Sequence, residues 1–247
     1  LARLTHATPL IADYPFSTRL PLPGMISFEN NQIQLVDLPP LDPGFPEAWV
    51  PQAIRSSDAV ALVVDLGEVA VLDQLTDTLA QLEQGKILVG QSTGELSLDS
   101  ASLDFARDEL DKPRGFARKR ALFVGNKCDR PGARDNFEVL SELWRERFRL
   151  LAVSAQTGEG LEDLRRALFD LLAVVRVYTK TPGKKADLTA PFVLPQGATV
   201  LEVAARVHKD LAAGLKFARL WGHGKFDGQM VPRDHVVEDQ DVIELHA

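Results

Sequence analysis

The chain predicts an α/β architecture: a doubly wound, mostly parallel sheet over residues 1–174, then a second, smaller domain over residues 175–247. Short apolar runs, of the kind buried on both faces of a parallel sheet, alternate with helical stripes through the first region. The alternation stops near residue 174, and the charge balance changes there as well. Residues 175–247 carry 10 Lys and Arg against 9 Asp and Glu, leaving 18 against 26 upstream, so the regions stand at +1 and −8.

The strands of the first region fall at 32–38 (QIQLVDL), 58–66 (DAVALVVDL), 86–90 (KILVG), 120–129 (RALFVGNKCD) and 149–155 (RLLAVSA). Leu72, Leu75, Leu79 and Leu82 recur at helical spacing, as do Leu161, Leu164, Leu168 and Leu171. Asp135 with Glu138 three residues later predicts a capped helix carrying Leu140, Leu143 and Trp144. A polar insertion near 92–119, weakly patterned from 92 to 113, interrupts the series and is expected as a surface excursion. In the second region, strands at 175–179 and 191–194 precede a helix capped by Thr199 and Glu202, with an apolar stripe of Val200, Val203, Val207 and Leu211. Short strands follow near FARLWG and DVIELH.

Composition excludes several function classes. With 45% hydrophobic and 26% charged residues the chain is an ordinary globular sequence. No apolar run reaches the roughly 18 residues that a membrane span requires, and no basic stretch leads into a short apolar one as in a secretory signal. Cys128 is the only cysteine, so no internal disulfide forms, and a cytoplasmic setting is expected. A net charge of −7 argues against general nucleic-acid binding and confines any RNA contact to a local patch. The candidate patch is Lys112, Arg114, Arg118, Lys119 and Arg120, which reads more simply as a solvated loop. The five histidines lack neighbours at metal-ligand spacing. Trp221 and Phe226 offer a binding face with Lys225 or, more simply, core packing.

In a doubly wound sheet, ligands bind beyond the carboxyl ends of the strands. There the sequence places Asn126-Lys127-Cys128-Asp129 after ALFVG, and Ser154-Ala155 after LLAV. These side chains suit guanine. The Asp129 carboxylate can accept from N1–H and the 2-amino group together, the Asn126 amide can bridge base and loop, and the Lys127 stem can lie flat across the purine. The Ala155 N–H is then expected to donate to O6, which adenine does not possess. Cys128, at the variable position, is filler.

With these motifs the chain resembles the Obg and developmentally regulated branch of P-loop GTPases. Two more stretches carry the likeness: ADYPFSTRLPLPGMISF is similar to the first switch region, and VDLPP to the second. The resemblance implies GTP or GDP and Mg2+ as ligands, with Thr18 reaching the magnesium and γ-phosphate and Asp37 holding the magnesium through water. Residues 175–247 resemble the TGS domain that ends these proteins, a ubiquitin-like β-grasp unit. The implied partners are the ribosome, RNA or a regulatory protein, met through the TGS domain and the basic patch, without a membrane.

The chain departs from the family in three places. No G-x-x-x-x-G-K-[ST] occurs in it, and LARLTHATP corresponds to the remainder of the helix that follows that loop, so this chain alone is expected to bind GTP poorly. Pro40 occupies the glycine position of D-x-x-G, where the γ-phosphate normally meets a backbone N–H that proline lacks. Leu41 follows where many GTPases carry a water-orienting glutamine, so hydrolysis is expected to be slow, in a segment stiffened by five prolines, Pro39, Pro40, Pro43, Pro46 and Pro51. Two readings stay open: a regulatory GTPase, and a non-hydrolysing adaptor whose TGS domain binds its partner independently of nucleotide. A threonyl-tRNA synthetase fragment shares only the TGS likeness.

Overall fold

A computed structural model describes residues 1–7, 20–41, 49–90, 115–224 and 226–247. They divide into two compact units: Leu1–Phe28 with Gln32–Leu172, and Glu29–Asn31 with Ala173–Ala247. Thr18, Lys112, Arg114, Lys225, the prolines at 43 and 46 and nearly all of the polar insertion lie outside the described residues.

The first unit runs β1 (Leu22–Phe28), β2 (Asn31–Asp37), α1 (Val50–Ser56), β3 (Ala59–Asp65), α2 (Val71–Gln84), β4 (Ile87–Gly90), β5 (Ala117–Asn126), α3 (Ala133–Trp144), β6 (Arg149–Ala152) and α4 (Leu161–Leu172). β3, β4 and β6 all pair in parallel with β5. β4 takes the first half of β5, with Ile87 opposite Ala117, and β6 takes the second, with Leu122 opposite Arg149. Ile87, Leu88, Val89, Leu122 and Phe123 are buried, as strands covered on both faces require.

One expectation fails here. Among the described residues, the strand foreseen at 32–38 does not join the parallel sheet but pairs with β1, in a separate two-stranded sheet. Its burial explains the difference: Ile26, Phe28 and Ile33 point inward while Met25 and Val36 are exposed, the alternation of a hairpin with one wet face. β1 itself was hidden in the sequence by Pro23 and Gly24, which weaken a strand pattern.

Helix placement follows the apolar stripes more closely. Val71, Leu75, Leu79 and Leu82 of α2 are buried, while Leu72 turns outward. α3 begins three residues earlier than the sequence indicates, with Gly132 in the left-handed region at its N-cap, so Asp135 lies in the first turn and favours the helix dipole without capping it. Leu1–Ala7 makes turns, closed by Leu4 and Thr5 N–H donating to the Leu1 carbonyl at 3.0 and 3.1 Å, with no regular helix among these residues. β5 starts at Ala117, so Arg118, Lys119 and Arg120 are half-buried strand residues and not part of a loop, and Lys119 donates to the Ser57 carbonyl.

The second unit contains β7 (Val174–Lys180), β8 (Phe192–Pro195), α5 (Val200–Val207), α6 (Lys209–Gly214), β9 (Phe217–Trp221), β10 (Gln229–Val231) and β11 (Val242–His246). Its sheet has the order β10-β9-β11-β7-β8, parallel only between β11 and β7. α5 carries the expected capping box: the Thr199 hydroxyl accepts from Glu202 N–H, and Glu202 accepts from Thr199 N–H at 2.7 Å. The helix stops at His208, whose extended backbone (φ −164°) starts α6, so the predicted stripe is split and Leu211 is only partly buried. Arg176 is 97% buried, with Asp239 accepting from Nε at 3.0 Å and Nη2 at 2.6 Å and Glu29 from Nη1. Hydrogen bonds to Asp239 outweigh burial and hold its guanidinium firmly charged. Phe226 is 65% exposed, so packing is not its role.

Gly125 is set by close packing. A Cβ there would stand 2.7 Å from the side chain of fully buried Leu66. Gly125→Ala is therefore expected to destabilise the first unit by about 1–3 kcal/mol, the ordinary range for overpacking, read by calorimetry as a lowered unfolding temperature; an unchanged temperature would contradict the packing argument.

Candidate functional site

Because β3, β5 and β6 are parallel, their carboxyl ends point the same way, and the polar residues that end them collect there. Asn126 is the last residue of β5, and its partner in the register is Asp65, the last of β3. The backbone then turns sharply: Lys127 adopts φ 66°, Arg130 N–H closes onto the Lys127 carbonyl at 3.0 Å, and Cys128 N–H reaches the Val153 carbonyl at 3.1 Å.

The two sequence motifs meet in one hydrogen bond. Ala155 N–H donates to Asn126 Oδ1 at 3.0 Å, fastening the N-K-C-D turn to the loop after β6. Ala155 N–H, expected to meet a ligand carbonyl, is in this structure used inside the protein, on Asn126 Oδ1. Ser154 is fully buried, with its Oγ accepting from Thr157 N–H at 3.1 Å and its carbonyl accepting from Gly158 N–H at 2.9 Å. Its role is to shape the loop. Gly160 completes the loop at φ 71°, where a Cβ would lie 2.5 Å from the Ala152 carbonyl oxygen.

Asp129 is exposed and makes no hydrogen bond or ion pair among the described residues. Its carboxylate is thus available to a ligand. Lys127 is not: its ammonium pairs with Asp65 Oδ2, while Asp65 Oδ1 accepts from Gly67 N–H at 2.9 Å. Burial pushes the Asp65 carboxyl up, but Lys127, the Gly67 N–H and Arg130 together outweigh it and leave the group below its ordinary range. Cys128 is buried, which with nearby Glu159 pushes its thiol up, so it packs as filler and is not a nucleophile.

Asp37 ends β2 half-buried, and among the described residues no hydrogen bond or ion pair engages it. No cluster of three or more His, Cys, Asp or Glu among the described residues is arranged to hold a metal. A lone carboxylate still fits magnesium, which takes one or two protein carboxylates and fills its remaining positions with water and phosphate oxygens. Pro39 is buried and Pro40 exposed; Leu41 packs against the core of the first unit, and its carbonyl accepts from Gln81 Nε2 at 3.3 Å. Thr18 cannot be placed beside them, being outside the described residues.

The sequence reading missed Asp65 and Asn136. Asp65 terminates an apolar run, the same signal that singled out Asn126. Asn136 donates to the Leu66 carbonyl at 2.8 Å and bears no motif that would reveal it.

Residues 1–91 match the family described as 50S ribosome-binding GTPase, and residues 175–247 match the TGS domain. Over 289 aligned residues the chain is 27% identical to developmentally-regulated GTP-binding protein 1 of Xenopus laevis, spanning 99% of this chain and 77% of that protein. The chain thus carries a GTPase-family match and a TGS match, and its relatives are developmentally regulated GTP-binding proteins. Human developmentally-regulated GTP-binding protein 2 is 26% identical over 290 residues, spanning 99% of this chain and 78% of its own. Among solved structures, the Schizosaccharomyces pombe YchF GTPase superposes with a TM-score of 0.60 at 12% identity, covering 99% of this GTP-binding protein and 93% of that chain. A GTP-binding protein from Pyrococcus horikoshii gives 0.56 at 14%, covering 93% and 88%. Both likenesses speak for the fold. No helix among the described residues is long and apolar enough to cross a membrane.

The depressed Asp65 carboxyl fixes a pH dependence. A group whose folded pKa lies below its unfolded value of about 3.9 contributes stability that is present above that pH and lost as the pH falls through the folded pKa. The wild-type protein is expected to unfold at a higher temperature than Asp65→Asn at pH 7, with the gap closing below about pH 4. Thermal denaturation across pH 2–7 checks this; a gap that persists in acid would contradict it.

Proposed function

We propose that this GTP-binding protein recognises guanine through Asn126, Lys127 and Asp129, with Ser154 and Ala155 supporting the pocket from the loop after β6. The observation that carries the reading is the 3.0 Å bond between Ala155 N–H and Asn126 Oδ1, which brings both motifs to one place beside the unpaired Asp129 carboxylate. Asp129 accepts from the N1–H and 2-amino groups, a pattern adenine cannot offer, and the Asn126 amide N–H donates to an acceptor on the purine's other edge. On the phosphate side, Asp37 and Thr18 are the residues to hold Mg2+, which supplies charge neutralisation for GTP. The TGS unit is the module for a ribosomal, RNA or protein partner, and its exposed Phe226 and Met230 are suited to that contact. Asp129→Ala is expected to weaken GDP binding at least tenfold in a calorimetric titration while leaving ADP binding unchanged; equal loss for both nucleotides would refute guanine readout by this carboxylate.

A second reading, a non-hydrolysing adaptor whose TGS unit binds RNA or protein independently of nucleotide, is favoured by one observation. Pro40 supplies no N–H to a γ-phosphate, and Leu41, at the position of a water-orienting side chain, is spent on the core. If proline is what silences γ-phosphate sensing, Pro40→Gly increases the preference for GTP over GDP and speeds single-turnover hydrolysis; no change in either would count against a sensing role for this position.

A further inference from the structure

Resting on the guanine reading, we propose that Asp65 is a positioning residue of the purine site, tethering the Lys127 ammonium so that the lysine stem forms a fixed shelf for the base. Three features of the strand ends lead to it.

First, the register places Asp65 opposite Asn126, so the residue after Asn126 emerges beside the Asp65 carboxylate. The ion pair with Asp65 then draws the Lys127 side chain from the end of β5 across to the end of β3. Second, the carboxylate is itself oriented: Oδ1 is occupied by the Gly67 N–H at 2.9 Å, which turns Oδ2 to the lysine. Gly67 also makes room for Arg130, since a Cβ there would lie 2.7 Å from Arg130 Cδ and 3.2 Å from Asp65 Oδ1. Third, the Lys127 backbone is held in a left-handed conformation that a lysine does not favour, secured by the Arg130 N–H on its carbonyl. Backbone and side-chain tip are fixed at both ends, and only the methylene stem between them is left to meet a ligand.

A lysine otherwise keeps four rotatable bonds, and binding a flat base against it would have to freeze them. Asp65 completes that ordering in the free protein, which is how preorganisation raises affinity. It also neutralises the ammonium, so the exposed Asp129 carboxylate meets the base edge without a mobile cation competing for it.

The test uses Asp65→Asn, which keeps an oxygen for the Gly67 N–H and removes the charge that holds the lysine. GDP binding to the full chain is followed by saturation-transfer NMR and calorimetry, with ADP as reference and Asp129→Ala alongside. Asp65→Asn is expected to weaken GDP binding about fivefold, less than a fully buried charged hydrogen bond would give. In a Lys127→Met background the same change is expected to add nothing, because its effect acts through the lysine. Faster amide exchange at residues 127–129 in the ligand-free variant is the accompanying signature. Wild-type affinity in Asp65→Asn, with Asp129→Ala impaired, overturns the Asp65 assignment and leaves the guanine reading intact. A fivefold loss that persists undiminished in the Lys127→Met background overturns it as well. If the wild type does not bind GDP, or Asp129→Ala binds it equally well, the guanine reading fails and this inference falls with it.

Discussion

The base-side residues of the candidate site, Asp65, Asn126 and Lys127, depend on the pairing of β5. One edge of this strand is filled by β3 along Ala59–Asp65, while β4 and then β6 pair with its earlier and later residues. Pairing of that extent leaves no freedom to slip, because a one-residue shift would turn Phe123 and Leu122 out of their packing and strand the buried backbone groups. The register of a hydrophobic ladder therefore decides which polar residues stand together where the ladder ends. Asp65 and Asn126 are neighbours for that reason alone.

Beyond the ladder, local chemistry takes over. The turn at Lys127 and the loop from Ser154 to Gly160 are short, and each is stabilised mainly by backbone groups bound within it or to the other. Buried hydrogen bonds of this kind are expensive to break singly, so the two loops behave as one piece. Such rigidity suits a flat ligand that offers a fixed pattern of donors and acceptors, since little is left to order on binding. The segment after Asp37 is intermediate: Leu41 and Gln81 anchor its end, while Asp37 and Pro40 remain available.

Strongly periodic elements were legible in the sequence. The α2 stripe, the α5 capping box, the β3 and β6 runs and the apolar second half of β5 sit where their patterns put them, because burial and capping are encoded by residues close together in the chain. What sequence reading lost depended on distant partners. Whether 32–38 joins a parallel sheet or a hairpin is decided by which neighbour is present, and its residues look similar in either case. The Asp65–Lys127 pair joins positions 62 residues apart and leaves no local trace. Ala155 was recognised by its motif, yet the acceptor for its N–H emerged only from the packing of two loops.

Cys128, dismissed above as filler, is also the one thiol in the chain, and it lies between the two halves of the site with 5% of its surface exposed. A reagent can reach it only when the turn at Lys127 lifts from the strand end, so its alkylation rate is a clock for that opening. The protein thus carries its own reporter, at the place where recognition of a base would be felt as slower chemistry on sulfur.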